Sequence, residues 1–552
     1  MAMEVSTRSM MSSCESKELN HLGLVAGMYD ELGIGKSIDA LIPQDMKQRN
    51  ISIGQILKAM VLNGLGFANQ RLYLLPHFFD GKPVEHLLGE GVSASDLNDD
   101  VTGRMLDSIY ETGASDIYRV IAKNALQTLD LSCHMSHIDT TTFHTDGQYN
   151  QGDEEGVIKI TKGYSRDHRP ELNQFGLKLI VEGQAGIPVM MESLSGNDND
   201  KTRFKETIRD HLSQLQDDFS TEHMVADSAL YCAETLRLMK DIAWTTRVPE
   251  TLSQAQHLIE ALADDLAREN DGEQPNFKSV DVTYADIDQQ WIVVYSPQAN
   301  ARSRHSVSRQ YEKKSIADQR LFDALCKQEF ACKEDALKSV EPLRKKLKVS
   351  LLHDLMIEVL PGFKKRGRPV KDAEPDHFTY RVCGALASDY QQYQQRLKRK
   401  SCFILATNQT DRERMDGHQM LDDYKNQQKV ERGFRFLKDP MFLASSVFLK
   451  SPKRIMALTM VMTVCLLVYA ALEHRIRKSL ADSDTAFPNQ TGKMINNPTI
   501  RWVFQYFQNI PVIYLKQTKA AVLNINDQHE KLLRLMGRRY LRADSKYKCN
   551  SD

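Results

Sequence analysis

Three acidic residues from distant parts of the chain, Asp139, Asp227 and Glu431, have sequence surroundings suited to metal chemistry. Asp139 and Asp227 each close a short apolar stretch with the pattern of a β-strand, and Glu431 lies among several cations. Three such carboxylates can hold two divalent cations, which clamp the attacking and leaving oxygens of a phosphodiester. A lone Asp at a strand end is more often a turn or cap residue, so the prediction of metal chemistry depends on all three together.

The cations around Glu431 predict contact with phosphate. If the segment is one helix with about 100° per residue, Tyr424, Gln427, Glu431 and Lys438 fall within a sector of roughly 60°. From Tyr424 to Lys478 the chain has eleven Lys or Arg and three Asp or Glu, an excess that suits a nucleic-acid backbone. A solvated helix face with ordinary i, i+4 ion pairs is the alternative interpretation.

The composition limits the class of protein. With 552 residues the chain is too long for one ordinary core, so we expect three or four structural units. Charged residues make up 26% and hydrophobic residues 41%, as in soluble globular proteins, and a net charge of -1 excludes a uniformly basic surface. The nine cysteines have no Cys-x-x-Cys spacing and residues 1–16 lack an apolar signal core. We therefore expect neither a zinc site nor a disulfide framework, and a cytoplasmic location.

One apolar run, Ile455–Leu472, has no charged residue and is long enough to cross a membrane. A buried helix in a large α/β core has the same pattern. The run directly follows the Glu431 segment, which favours the core interpretation and predicts no membrane partner.

The periodicity of the chain predicts an α/β fold that positions the carboxylates. Three strands with period two begin near His134, at Phe175–Val181 and at Val189–Leu194, and strand and helix patterns then alternate to Val248. Three antiparallel strands followed by βαβ units is the order of a ribonuclease H-like core, a mixed sheet with flanking helices.

The same periodicity and composition predict five regions in the chain. Residues 1–130 form a helical N-terminal region that binds DNA, dimerises or acts only as scaffold. Residues 131–248 and 401–475 form the two parts of the ribonuclease H-like core, the second containing the Glu431 helix. Residues 249–400 form an insertion domain, and residues 476–552 a helical tail.

A basic tract in the insertion, Lys364–Pro369, contains Arg366 and Arg368 in the sequence Arg-Gly-Arg-Pro. Arginines on such an extended backbone can enter the minor groove of A·T-rich DNA. A solvated basic loop is the simpler interpretation of a single copy. His137 and His144 flank Asp139, and we expect packing or orienting roles for them because Mg²⁺ prefers oxygen ligands.

These motifs resemble those of the DDE transposases of bacterial insertion sequences, in the group with the signature Tyr-x2-Arg-x3-Glu-x6-Lys. Tyr424, Glu431 and Lys438 match the signature in type and spacing, whereas Gln427 occupies the arginine position. The resemblance covers about residues 20–540. Its further motifs are His137–Thr141, Gly163–Gln174, Val225–Ala229 and Thr246–Pro249.

The resemblance implies a metal-binding catalytic triad of Asp139, Asp227 and Glu431, which holds two Mg²⁺ ions or Mn²⁺ in their place. It also implies DNA contacts from the signature residues and from nearby cations, namely Tyr424, Gln427, Lys438, Arg432 and Arg435. The expected activity is cleavage and strand transfer of double-stranded DNA at terminal inverted repeats, in the manner of cut-and-paste transposition. Two element ends in one complex imply a homodimer, in the bacterial cytoplasm and associated with the nucleoid.

Three other functions fit parts of the sequence. A catalytically inactive or repurposed DNA-binding protein would keep the fold without cleavage. A membrane-anchored protein would use Ile455–Leu472 as a span. A host nuclease would have the triad but would not transfer the cut end to a target.

Overall fold

The computed structural model describes residues 14–45, 50–67, 74–145, 147, 149, 154–163, 169–198, 200–364, 374–439, 449–515 and 518–544. The chain divides into two compact units. Unit 1 comprises Met1–Thr246 and Leu421–Asp552, and unit 2 comprises Arg247–Met420. The protein is a mixed α/β protein, as the sequence predicts.

The helices of the described residues, in chain order, are α1 Leu22–Glu31, α2 Ile34–Leu41, α3 Ile53–Leu65, α4 Leu75–Phe78, α5 Val84–Leu88, α6 Asp99–Thr112, α7 Ala114–Leu129, α8 Asp200–Phe219, α9 Ala233–Leu238, α10 Ser253–Glu269, α11 Pro297–Cys326, α12 Lys333–Lys346, α13 Tyr390–Ser401, α14 Gly417–Asn426, α15 Gln428–Leu437, α16 Pro452–Asp482, α17 Ile500–Tyr506, α18 Asp527–Met536 and α19 Arg538–Asp544. A short 3-10 helix spans Ala94–Leu97.

The strands are β1 Cys14–Glu18, β2 Met135–Thr145, β3 Asn173–Glu182, β4 Pro188–Ser195, β5 His223–Ala226, β6 Ala243–Arg247, β7 Asn276–Tyr284, β8 Ile287–Tyr295, β9 Glu329–Phe330, β10 Ser350–Gly362, β11 His377–Ser388, β12 Cys402–Thr407, β13 Phe487–Pro488, β14 Met494–Ile495, β15 Pro511–Leu515 and β16 Thr518–Val522.

The central sheet of unit 1 has the strand order β4-β3-β2-β5-β6. β4, β3 and β2 are antiparallel, whereas β5 and β6 run parallel to β2. Nearly every residue of β3 is buried, which explains its continuous apolar run, because such strands are covered on both faces. The three antiparallel strands followed by parallel ones confirm the strand order predicted from the sequence.

Helix α16 contains the apolar run and is the core helix of unit 1. It packs against α1, α3, α6 and α7 and against β4. A helix with neighbours on all sides needs apolar residues around its whole circumference, which accounts for the weak amphipathic pattern. By length and composition α16 could cross a membrane, but its apolar window is 89% buried inside the protein, as expected of a core helix.

The two ends of the chain contain strands that the sequence did not predict. β1 pairs antiparallel with β15, and β16 completes that sheet. β1 is short and mostly exposed, so its conformation depends on a partner almost five hundred residues away and leaves no local pattern. In the predicted helical N-terminal region, α6 and α7 are separated at Gly113, whose φ of 100° is outside the helical range.

The described part of unit 2 contains two groups of antiparallel strands and four helices. β8 pairs antiparallel with both β7 and β12, and β10 and β11 form a long hairpin that β9 extends. Helices α11 and α12 pack on that hairpin through a small core that includes Phe322, Val340 and Val382. Unit 2 extends beyond the predicted insertion, 249–400, because β12 pairs with β8.

Candidate active site

Asp139 and Asp227 lie next to each other at the ends of paired strand segments. The parallel register of β2 and β5 ends with Ile138 opposite Ala226, so the next residue of each chain segment is one of the two aspartates. Neighbouring strands are about 4.8 Å apart. Both side chains are half-buried. The fold therefore brings together two carboxylates that are 88 positions apart in the sequence.

Local hydrogen bonds hold both aspartates in place. A carboxylate oxygen of Asp139 accepts from the N–H of Thr140 at 2.7 Å, and one of Asp227 accepts from the N–H of Ala229 at 2.9 Å. The hydroxyl of Thr246, in β6, donates to the backbone carbonyl of Asp227 at 2.7 Å. These contacts order the turn after β5, where Asp227 lies, and an ionised carboxylate oxygen can accept more than one contact.

Glu431 lies on α15, which packs against β2 in unit 1. Its side chain is exposed. Carboxylate oxygens are the ligands that Mg²⁺ prefers, so the three side chains fit this ion in type. Among the described residues, no three His, Cys, Asp or Glu side chains are close enough to hold a metal ion as they stand. The joining of Glu431 to the two aspartates therefore stays a prediction.

The single helix predicted from Tyr424 to Lys438 is wrong, because the structure has two helices with Gln427 between them. α14 ends at Asn426, and α15 begins at Gln428. The backbone carbonyl of Gln427 accepts from the N–H of Val430, which tightens the chain at this point. Gln427 keeps helical backbone angles, with a φ of -56° and a ψ of -24°, and it is 7% exposed, whereas Glu431 is exposed.

The other predicted DNA contacts are distributed around α15. Tyr424 is half-buried in α14, Arg432 and Arg435 are exposed on α15, and Lys438, which directly follows that helix, is half-buried. Arg366 and Arg368 lie outside the described residues, as does part of the Gly163–Gln174 motif.

Lys429 fixes the position of α15, a role that the sequence did not suggest. Its ammonium group donates to the carbonyl oxygens of Gly183 and Gln184, at 2.6 and 2.9 Å, in the turn between β3 and β4. Burial, together with the charges of Arg432 and Arg477, lowers the pKa of Lys429, while Glu182 opposes the shift. The turn itself is held by Glu182, whose carboxylate accepts from the N–H groups of Gln184 and Ala185.

A cavity of about 530 Å³ lies beside α15 on the side of this turn. Its lining includes Arg432 and Arg435 from α15 and Arg477 and Lys478 from α16, with Phe436 among its apolar residues. Cations and apolar surface together suit an anionic ligand with an apolar part.

Two buried polar residues of β2 and β3 lie close to Asp139. His137 is fully buried, and burial and the charge of Lys429 lower its pKa to about 4, so that the ring is neutral at pH 7. Lys178, 2% exposed on β3, donates to the carboxylate of Glu192 on β4 at 2.8 Å. A lysine inside the apolar run Phe175–Val181 was the sequence signal for this ion pair.

Comparison with known proteins gives a family for most of these elements. A family model described as "Transposase DDE domain" matches residues 136–468, and one described as "Domain of unknown function (DUF4277)" matches residues 14–123. A search of curated proteins finds no match. Among solved structures, the chain is similar to a piggyBac transposase in a synaptic complex with hairpin DNA, with a TM-score of 0.31 and 8% identity over 87% of this chain and 71% of that chain.

Proposed function

The chain belongs to the transposase DDE domain family, and on that premise we propose that it catalyses metal-dependent DNA strand cleavage and strand transfer at the terminal inverted repeats of a bacterial insertion sequence. The observation that carries this proposal is the placement of Asp139, inside β2, beside Asp227, just after β5, with the helix of Glu431 packed against β2. A ribonuclease H-like core interrupted by an insertion is the corresponding fold.

In this proposal Asp139, Asp227 and Glu431 hold two Mg²⁺ ions, or Mn²⁺ in their place. Such ions activate a water or a 3'-hydroxyl and stabilise charge on the phosphate during in-line displacement. The strands β2 and β5 fix the two aspartates, and the Lys429 contacts with the β3–β4 turn hold α15 against the sheet. The protein thereby supplies orientation before the substrate arrives, which lowers the entropic part of the barrier.

The cations of α15 bind DNA near the cleaved phosphate in this proposal. Arg432 and Arg435 are exposed, so they can approach a duplex, whereas Gln427 is buried and contributes less than the arginine of the signature would. Tyr424 and Lys438 complete the contacts. The partners are the two element ends and a target duplex, held by a homodimer in the bacterial cytoplasm at the nucleoid.

The test uses the full-length protein and a plasmid with the DNA that flanks its gene on both sides. We expect nicks at the ends of terminal inverted repeats in the presence of Mg²⁺ or Mn²⁺, none with a chelator, and joining of the cut 3'-ends to a second plasmid. Cleavage without joining would indicate a nuclease. DNA binding without cleavage, both with Mg²⁺ and with Mn²⁺, would indicate a repurposed DNA-binding protein and would refute the proposal.

A further inference from the structure

Unit 2 has a row of cations along one face of its longest helix. α11 has 30 residues, and Arg302, Arg309, Lys313 and Arg320 recur along it with spacings of seven, four and seven. At about 100° per residue, the last three lie within roughly 20° of Arg302 around the helix axis. At 1.5 Å per residue, the row is about 27 Å long. We refer to these four residues as the α11 stripe.

The stripe faces solvent. All four side chains are exposed, whereas the buried residues of α11, such as Val307, Tyr311 and Phe322, lie on the opposite side of the helix. A helix packs one face on a core and leaves the other for solvent or a partner. On the surface of unit 2, the stripe is therefore accessible to a ligand.

The cations of the stripe form no ion pair in the described part of the chain. In the described part of the chain, none of the four side chains is within ion-pair distance of a carboxylate. Other cations of unit 2 do have such partners: Lys278 binds Glu269 at 2.8 Å, and Lys398 binds Asp264 at 2.7 Å. A row of like charges without counter-ions costs free energy through mutual repulsion, unless an anion occupies it.

A second element adds cations to the C-terminal half of the stripe. Asp318 of α11 is buried, and its carboxylate accepts from the backbone N–H groups of Lys348 and Val349, at 3.1 and 3.0 Å. This contact holds the end of α12 beside α11. The result is a groove of about 540 Å³ whose lining includes five cations, namely Lys313, Lys314, Arg320, Lys346 and Lys348. The only acidic residue in its lining, Asp318, is occupied by the backbone.

We propose that the α11 stripe and its groove bind the phosphate backbone of double-stranded DNA. The partner must carry regularly repeated negative charge over about 27 Å, and duplex DNA carries one charge per about 1.7 Å of its axis. Contacts from lysine and arginine to phosphates depend little on base sequence. This inference rests on the proposed function, since it gives unit 2 a share in holding the DNA on which unit 1 acts.

The experiment measures DNA affinity of the full-length protein as a function of salt, with a duplex of arbitrary sequence and without divalent metal. The variants are Arg309→Gln with Lys313→Gln, Arg302→Gln with Arg320→Gln, and all four together. Each contact removed should lower the slope of log Kd against log salt by about 0.9. We expect the fourfold variant to bind about a hundredfold more weakly at low salt, and each double variant about tenfold more weakly.

A matched control removes the same charge elsewhere. Lys333 and Lys338 are exposed on α12 and are not part of the stripe or of the groove lining. The double variant Lys333→Gln with Lys338→Gln should change Kd less than twofold, and no variant should have a lower Tm than the unaltered protein, since the replaced groups are exposed.

A fourfold variant that binds DNA as the control does would overturn the inference and make the stripe an ordinary solvated face. If the fourfold variant bound DNA normally but bound an acidic peptide more weakly than the unaltered protein, the stripe would be a protein-binding surface and the inference would also be overturned. The proposed function is judged separately by strand cleavage. Normal strand cleavage together with unchanged DNA affinity in the stripe variants would refute only this inference. Absence of cleavage together with weaker DNA binding by the stripe variants would refute only the proposed function.

Discussion

Asp139 of β2 and Asp227, in the turn after β5, lie side by side, each one residue beyond Ile138 and Ala226, the last residues that pair between these parallel strands. The register between β2 and β5, rather than any local motif, brings these two carboxylates together. If the two carboxylates share divalent metal with Glu431, each of the three should be essential to cleavage but not to DNA binding.

We expect Asp139→Asn, Asp227→Asn and Glu431→Gln each to reduce metal-dependent strand cleavage by at least about a thousandfold, since a bound metal ion contributes several kcal/mol to the transition state. DNA affinity measured without divalent metal should stay within about twofold, because the phosphate contacts come from cations. The control is Asp422→Asn, an exposed carboxylate of α14. Normal cleavage by any of the three variants would remove that residue from the triad.

Lys429→Met should lower the cleavage rate more than it weakens DNA binding. The variant removes the two hydrogen bonds to Gly183 and Gln184 that hold α15 against the β3–β4 turn. A displacement of about 1 Å in a catalytic group can cost about a hundredfold in rate. Single-turnover rates at saturating DNA, compared with Kd, separate the two effects. An equal loss in both quantities would show that Lys429 acts through DNA binding alone.

Gln427→Arg, which restores the arginine of the transposase signature, should destabilise the protein without strengthening DNA binding. Gln427 is 7% exposed, and a guanidinium at this position would lose most of its hydration, at a cost of about 3 kcal/mol. Thermal unfolding and duplex affinity are the measurements. Gln428→Arg, next to it and exposed, adds the same charge and should leave Tm unchanged. If Gln427→Arg bound DNA more tightly and Gln428→Arg did not, the prediction that residue 427 makes no DNA contact would be refuted.

The stability of unit 1 should fall as the pH decreases from about 6.5 to 4, in part through His21. Burial lowers the pKa of His21 from 6.5 to about 4. Its Nδ1 accepts from the amide of Gln508 at 2.9 Å and its Nε2–H donates to the carbonyl of Leu65 at 2.8 Å, so protonation of Nδ1 would break the first bond. Because the folded-state pKa is depressed, the unfolded chain takes up the proton first, and stability is full above pH 6.5 and lost below it.

The measurement is unfolding by denaturant across this pH range. Relative to the unaltered protein, His21→Asn should flatten the dependence by about 1.4 kcal/mol per pH unit, the contribution of one proton, while the other buried histidines keep theirs. His77→Asn, an exposed histidine of α4, is the control and should leave the slope unchanged. If the free energy of unfolding of the His21 variant depended on pH as steeply as that of the unaltered protein, other groups would be responsible for the pH dependence.

Much of the fold was predictable because its signals are local. The apolar run of β3 and the stretches before Asp139 and Asp227 are patterns of a few residues, and burial of such strands on both faces follows from their composition. The apolar run in α16 was also readable, since a helix with neighbours on every side must be apolar all round.

The tertiary structure decided what depends on distant partners. The pairing of β1 with β15 and the hydrogen bonds of Lys429 to the β3–β4 turn involve groups that no window of sequence contains together. The sequence by itself determined which residues offer chemistry: two carboxylates that close apolar strand patterns and one that lies among cations. Only the packing of strands and helices determined that Asp139 meets Asp227 and that Gln427 is buried, because register and burial are properties of the whole chain.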